Sequence, residues 1–421
     1  MVRGLVEDCG CLVPPRRLLL QVVVSCGCRG SDGEAGMYFD NAATSFPRPE
    51  SVIRAVEGWL RSGCAAGRGG HAGAVDAAQL VQRCRSSLAA ILGVSSPCQV
   101  VLTSGCTESL NTVLLGLLSA GDRVIASELD HNSVLRPLAW LERTRGIHLD
   151  LLGFDAGTGL LDAVQLEQLL DAGPVRLVVL THASNVTGRV QRVSELAALA
   201  ASRGALVLVD AAQTAGHWPC SLDGLGADFL ALPGHKGLCG PLGTGVLVFR
   251  EGREDLVSPL KFGGTGTESE LLAQPERMPE KFESGNLNMP GIAGLGAAAD
   301  WVLERTPELL RANLVAKTDW LLAELGRISG LRLLTPSVPG EICGIVSFVV
   351  PGLDAHEAAM VLEQAFGIRC RAGLHCAPLV HRVLGTESAG GAVRLSVGEF
   401  TTESELAQAV SAVGELAMVA R

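Results

Sequence analysis

The sequence has no excess of positive charge, no dense cysteine framework, no short repeat and no low-complexity tract. Each absence removes a class of protein. A formal net charge of −10 argues against nucleic acid or an anionic membrane as the main partner, though not against a local pocket for a small anion. The apolar run at residues 18–24 is too short to span a bilayer. Thirteen cysteines are present, but they are scattered, unlike those of a small disulfide-framed secreted domain. They read as reduced thiols in a cytoplasmic protein. What remains is a chain of 421 residues, 48% hydrophobic and 19% charged, long enough to bury a large core as two or three domains.

Residues 1–36 stand apart. They hold Cys9, Cys11, Cys26 and Cys28, with Arg16-Arg17 ahead of the apolar run. That order faintly matches a secretory signal, but Glu7 and Asp8 spoil its basic start. The paired Cys-x-Cys units could hold a metal, yet no histidine joins them. A dispensable extension is the expectation, with Met37 a candidate first residue. From Tyr38 onward the pattern is regular. Helical spacing covers 49–60 and 76–92, and the glycine-rich stretch 65–71 separates them. Short apolar runs at 100–102, 123–126, 175–181, 205–209, 229–232 and 246–249 read as buried strands. Their alternation with helices predicts an α/β fold, a mostly parallel sheet covered on both faces, in a large domain of residues 37–294. Beyond 294, helices over 296–304, 307–325, 355–366 and 403–419 alternate with strands near 331–334, 345–350 and 393–397. This predicts a smaller α+β domain, residues 295–421, on which the first residues of the large domain could pack.

The chain's chemistry gathers where these strands end. Lys236 lies in Pro233-Gly234-His235-Lys236-Gly237, between two apolar runs. A lysine withdrawn from water there loses part of its preference for the protonated state, and the free amine attacks carbonyl groups. The bland reading is an ordinary lysine on a surface turn. Ser104-Gly105-Cys106-Thr107 precedes a helix, so its N–H groups and the Thr107 hydroxyl could cradle a phosphate, or Thr107 could simply cap the helix. Asp210 ends a strand, with Gln213 one turn on. His131, and His182, Ser184 and Asn185, follow two others. In open parallel sheets ligands bind beyond the carboxyl ends of strands. An amine, a carboxylate and an anion cradle at one such edge suit pyridoxal phosphate, with Lys236 bonded to its aldehyde and Asp210 facing its ring nitrogen. A planar group such as His131 could stack on the ring.

Several runs in order carry a resemblance: Tyr38 to Thr44, Thr103 to Glu108, Glu128 to Ser133, His182 to Gly188, Asp210 to Gln213, Gly234-His235-Lys236, and Arg371 to Pro378. From Tyr38 to about Ala417 the chain resembles the class V aminotransferase family. Within it, the likeness is to cysteine desulfurases of the selenocysteine-lyase-like branch. The resemblance implies a type I pyridoxal-phosphate transferase fold with a seven-stranded sheet, a homodimer, and cleavage of L-cysteine to L-alanine with sulfur passed through an enzyme persulfide to an acceptor protein. It implies cofactor contacts from Lys236, Asp210, Gln213, His131, Thr107, Cys106, His235 and Asn185. It also implies substrate-carboxylate contacts from Arg394 and Asn185 with Arg371 nearby, Cys376 as nucleophile, and Lys236 and His131 as the other catalytic residues, His131 helping to move protons.

Cys376 lies in a glycine-containing loop beside His375 and near Arg371, an electropositive setting for a thiol. Cys370, His375, Cys376 and His381 could instead imitate a zinc site. Three positions depart from the family pattern. Pro233 stands where a serine often helps hold phosphate. Asn286 replaces a threonine that reaches the partner subunit's phosphate, and Leu374 stands where some relatives have histidine. The rival readings are a selenocysteine lyase, another class V lyase or epimerase, and a non-catalytic persulfide carrier.

Overall fold

A computed structural model describes residues 36–66 and 70–420. The cysteine pairs of the expected N-terminal extension lie outside the described residues. The chain enters as β1 (Met37–Tyr38), followed by α1 (Glu50–Ser62) and α2 (Ala72–Leu92). β2 (Val100–Thr103) leads into α3 (Cys106–Leu117), β3 (Arg123–Ser127) into α4 (Asn132–Arg145), and β4 (His148–Leu152) into α5 (Ala163–Asp171). Then come β5 (Leu177–Thr181), α6 (Val193–Ser202), β6 (Leu206–Asp210), β7 (Phe229–Pro233) and β8 (Gly245–Phe249).

Strands β2 to β8 form one seven-stranded sheet in the order β2-β8-β7-β6-β5-β3-β4. It is mostly parallel, as expected. The exception is β8, antiparallel to both β2 and β7. The connection from β7, residues 234–244, carries no helix, and a parallel return needs a crossover. Every residue of β5, β6, β7 and β8 is buried, which is why these strands read as continuous apolar runs rather than alternating ones.

Two long helices follow, α7 (Met289–Arg305) and α8 (Pro307–Gly326). α7 begins well before the expected 296, because its glycines serve packing. A Cβ on Gly294 would lie 2.4 Å from Pro241 and 2.7 Å from Val56, so only glycine allows this approach. The helix runs through the expected boundary at 294 and buries Ile292, Leu295, Ala299 and Val302 in the large unit's core.

The smaller unit holds β9 (Arg332–Leu333), β10 (Ile345–Val349), α9 (Ala355–Phe366), β11 (Ile368–Arg369), β12 (Arg371–Gly373), α10 (Pro378–Val383), β13 (Ala392–Ser396) and α11 (Glu403–Val419). Its antiparallel sheet has the order β12-β13-β10-β9. β1 pairs in parallel with β11, and Asp40 bridges to Ser396. Phe39 is thereby buried in the same core as Phe348 and Leu395. The expected loop at 371–378 is a strand, a tight turn and the start of α10, since Arg371 to Gly373 find ladder partners in Arg394 to Ala392. Among the described residues every cysteine is unbridged, and no helix is long and apolar enough to cross a membrane.

Candidate active site

The carboxyl ends of β5, β6 and β7 bring Thr181, Asp210 and Pro233 to one edge of the sheet, with Thr181 paired to Asp210. Thr103, at the end of β2, lies opposite Gly245, and Gly245 opposite Pro233. The N-terminus of α3 therefore opens onto the same edge. A cleft of about 380 Å³ forms there, and Lys236, Asp210, Gln213, His131, Thr107 and Cys106 line it. His235, Asn185, Arg371 and Arg394 complete its wall. The ten cofactor- and carboxylate-binding candidates read from the sequence are thus brought to one place.

Local structure explains each position. Lys236 sits in the loop after β7. Burial holds its amine below the ordinary lysine value, against the opposing pull of Asp210. Asp210 is 4% exposed. Its Oδ1 accepts the Ala212 N–H at 2.9 Å and lies 3.4 Å from the donor Sγ of Cys106. Burial, then Asp210, pushes the Cys106 thiol far up, so it stays protonated. The cap of α3 is Gly105, without a side-chain bond, so Thr107 is not the cap but an exposed residue in the first turn. The first-turn N–H groups of a helix have no carbonyl partner within it, which makes this end a cradle for an anion.

His131 caps α4. Its Nδ1 accepts the Ser133 N–H at 3.0 Å and lies 2.6 Å from the Ser133 hydroxyl. The ring proton therefore rests on Nε2, and burial keeps the ring neutral by lowering its pKa. Burial also pulls His235 down to about 4, and its buried Nδ1 has no partner. Gln213 donates through Nε2 to the Ala42 carbonyl at 3.1 Å. Arg394 is 1% exposed. It donates to Asp40 Oδ1 at 2.9 Å and to the Asn185 carbonyl at 3.0 Å, while its buried Nε has no partner.

Cys376 borders an adjoining groove of about 510 Å³, which shares Thr107, His131 and Ser133 with the cleft. Its Sγ lies 3.9 Å from an Arg371 guanidinium nitrogen. The zinc alternative is not gathered: His375 Nε2 faces the Ala392 carbonyl, His381 Nδ1 faces Thr386, and no cluster of three metal-ligating residues exists among the described ones. His182 and Ser184 do not line the cleft. His182 is buried against Thr214 at 2.9 Å, and Ser184 accepts the Val186 and Thr187 N–H groups. Two contributors were missed from the sequence. Asp40 pairs with Arg394, its only signal being an acid just after the first strand. His375 lines the cleft wall; burial, more than the neighbouring Arg394 charge, takes it down to about 2.

Residues 37–408 match the family model described as aminotransferase class-V. The chain belongs to the class-V aminotransferase family. Among its class-V relatives, a probable cysteine desulfurase of Methanothermobacter thermautotrophicus is 35% identical over 376 residues, covering 88% of this chain and 92% of that one. A cysteine desulfurase of Yersinia pestis is 32% identical over 357 residues, covering 83% and 86%. The apo structure of the Thermococcus onnurineus cysteine desulfurase superposes with a TM-score of 0.83 at 31% identity, covering 97% of this chain and 99% of that one. The cysteine desulfurase CsdA of Escherichia coli gives 0.80 at 28% identity, covering 91% and 94%. The type I transferase fold expected from the motifs is the fold these class-V structures share. The family implies pyridoxal phosphate, and the cleft's groups fit it. The unpartnered His235 Nδ1 and the first-turn amides of α3 await an anion, and the buried Asp210 leaves Oδ2 for a ring nitrogen.

Proposed function

We propose that this protein is a pyridoxal-phosphate-dependent cysteine desulfurase that moves the sulfur of L-cysteine onto Cys376 and releases L-alanine. The observation that carries the reading is one cleft holding an amine, a buried carboxylate, a helix N-terminus and a buried arginine, with a thiol at its edge. Bound there, pyridoxal phosphate supplies an electron sink for the bonds at the substrate's α-carbon.

The chain's own residues divide the remaining work. The α3 amides, Thr107 and His235 hold the phosphate, and Gln213 faces the ring hydroxyl. Asp210 holds a proton on the ring nitrogen. Lys236 Nζ, whose burial lowers its hold on the proton, would hold the cofactor through its aldehyde carbon and would move protons at the substrate's carbons. His131 covers the ring and presents its Nε2 proton to the cleft. Arg394, through its unpartnered Nε, takes the substrate carboxylate with Arg371 nearby. Cys376 Sγ attacks the substrate sulfur. The new S–S bond forms as the Cβ–S bond breaks, its electron pair stays on Cβ, and a proton there completes alanine. Cysteine plus the Cys376 thiol thus balances alanine plus the persulfide, which a thiol of an acceptor protein then removes.

The active unit is a homodimer in this reading. Phe262 and Leu272 are 71% and 108% exposed, on the same segment as Lys261, which pairs with Glu108 in the first turn of α3 at 2.6 Å. The deciding experiment compares the unmodified protein with Cys376→Ser on L-cysteine and L-selenocysteine, measuring alanine and protein persulfide. Desulfuration of cysteine is expected only with the thiol present. Cysteine turnover unchanged by Cys376→Ser overturns the nucleophile assignment. Alanine from selenocysteine alone makes the protein a selenocysteine lyase.

A further inference from the structure

His375 and Cys376 carry positive φ, 49° and 60°. Two successive non-glycine residues in the left-handed region persist only where their surroundings hold them. Three contacts do so. The Asn132 N–H donates to the Cys376 carbonyl at 2.7 Å. His375 Nε2 donates to the Ala392 carbonyl at 3.2 Å. Asn185 Nδ2 donates to the His375 carbonyl at 2.6 Å. Of these, the Asn185 bond is the one made by a side chain from outside the turn, and Asn185 lies on the loop after β5. The carbonyl of this same residue accepts from Arg394 at 3.0 Å, and Arg394 pairs in turn with Asp40. One residue touches both the buried arginine and the turn that carries the thiol.

We propose that Asn185 is a positioning residue for Cys376, its side-chain amide holding the left-handed His375-Cys376 turn in place across the cleft. The proposal rests on Cys376 being the sulfur nucleophile. It gives Asn185 a job beyond the carboxylate contact that the family resemblance implies: one N–H of its amide is held by the His375 carbonyl, and the second remains for a carboxylate. Positioning of this kind acts on the chemical step, since a nucleophile set off its line of attack loses rate rather than substrate affinity.

The test is residue-resolved alkylation of the holoenzyme with iodoacetamide, alongside steady-state kinetics on cysteine, for Asn185→Asp and Asn185→Ala. Asn185→Asp keeps the shape and replaces the donor with an acceptor facing a carbonyl. Losing a bond of ordinary net strength frees the turn, so Cys376 labelling is expected to quicken roughly fivefold. Buried Cys84, Cys220 and Cys343 stay unlabelled, and kcat falls by more than KM rises. Unchanged Cys376 labelling, or a rise in KM alone, overturns the proposal. So does labelling of Cys84 and Cys220 in both variants, which makes Asn185 a fold-bearing residue. An unmodified enzyme that forms no persulfide defeats the desulfurase reading instead, and the labelling contrast still decides the role of Asn185.

Discussion

Replacing Arg394 with lysine separates what this side chain does for the fold from what it does for a substrate. Its guanidinium spends two nitrogens inside the protein, on Asp40 and on the Asn185 carbonyl, and leaves a buried Nε without a partner in a residue that lines the cleft. A lysine keeps one positive charge but is a point donor without the planar fork. It can stay with Asp40, whose side chain is 25% exposed against 1% for Arg394. The internal loss is then one neutral-acceptor bond, about 1 kcal/mol, or no more than a few degrees in Tm. The loss toward a substrate carboxylate is a charge-assisted bond, about 2 kcal/mol, which is roughly 30-fold in kcat/KM. The assay is kcat/KM for L-cysteine together with Tm and the cofactor's visible absorbance. A kcat/KM within about threefold of the unmodified enzyme refutes the carboxylate role. A collapse of Tm or of cofactor absorbance shows that the arginine's work is structural.

Other changes test other parts of the cleft. Borohydride reduction followed by peptide mapping is expected to place a pyridoxyl group on Lys236, and a label on Lys261 or Lys281 refutes the assignment. Asp210→Asn leaves a neutral partner for the ring nitrogen and is expected to cut turnover by at least tenfold with the fold intact, because a charge-assisted bond in a dry site is lost; near-normal turnover gives the carboxylate another role. Asp130 is fully buried with one oxygen unpartnered, and burial raises it to about 7. Its folded form favours the proton, so the stability it contributes is complete below about pH 4 and is lost as pH rises through about 7. Asp130→Asn mimics the protonated acid, and a Tm series is expected to show the variant gaining up to about 4 kcal/mol over the unmodified protein at pH 8 and nothing at pH 4. An equal Tm difference at both pH values refutes the burial argument.

The parallel core was legible because β5, β6 and β7 are covered on both faces and carry unbroken apolar runs. β4 was not, because it lies at the sheet's edge and His148-Leu149-Asp150-Leu151 are not buried. α7 was read short because Gly291 and Gly294 look like loop residues until their close neighbours are known. Helices α5 and α6 were passed over as connections. Lys236, Asp210 and Thr107 could be placed from the sequence because each lies at, or within four residues of, the end of an apolar strand. The partners of Arg394 and Asn185 could not, since Asp40 is 354 residues from one and His375 is 190 from the other. Nothing local marks such a contact. The left-handed turn at Cys376 was equally hidden, because neither His375 nor Cys376 is a residue that advertises positive φ.

The pairing of β1 with β11, and of Asp40 with Arg394, fixes an order of events on the ribosome. Asp40 emerges early and Arg394 follows 354 residues later, roughly 20–70 s at ordinary rates of synthesis. All seven strands of the large sheet are synthesised well before then, together with Lys236, Asp210 and the N-terminus of α3. The entering segment at 37–40 is without its partner strands throughout that interval. Only when the last strand arrives does that segment close against it. The contact that orients Arg394, and with it the proposed grip on a carboxylate, is completed only once β13 has been made.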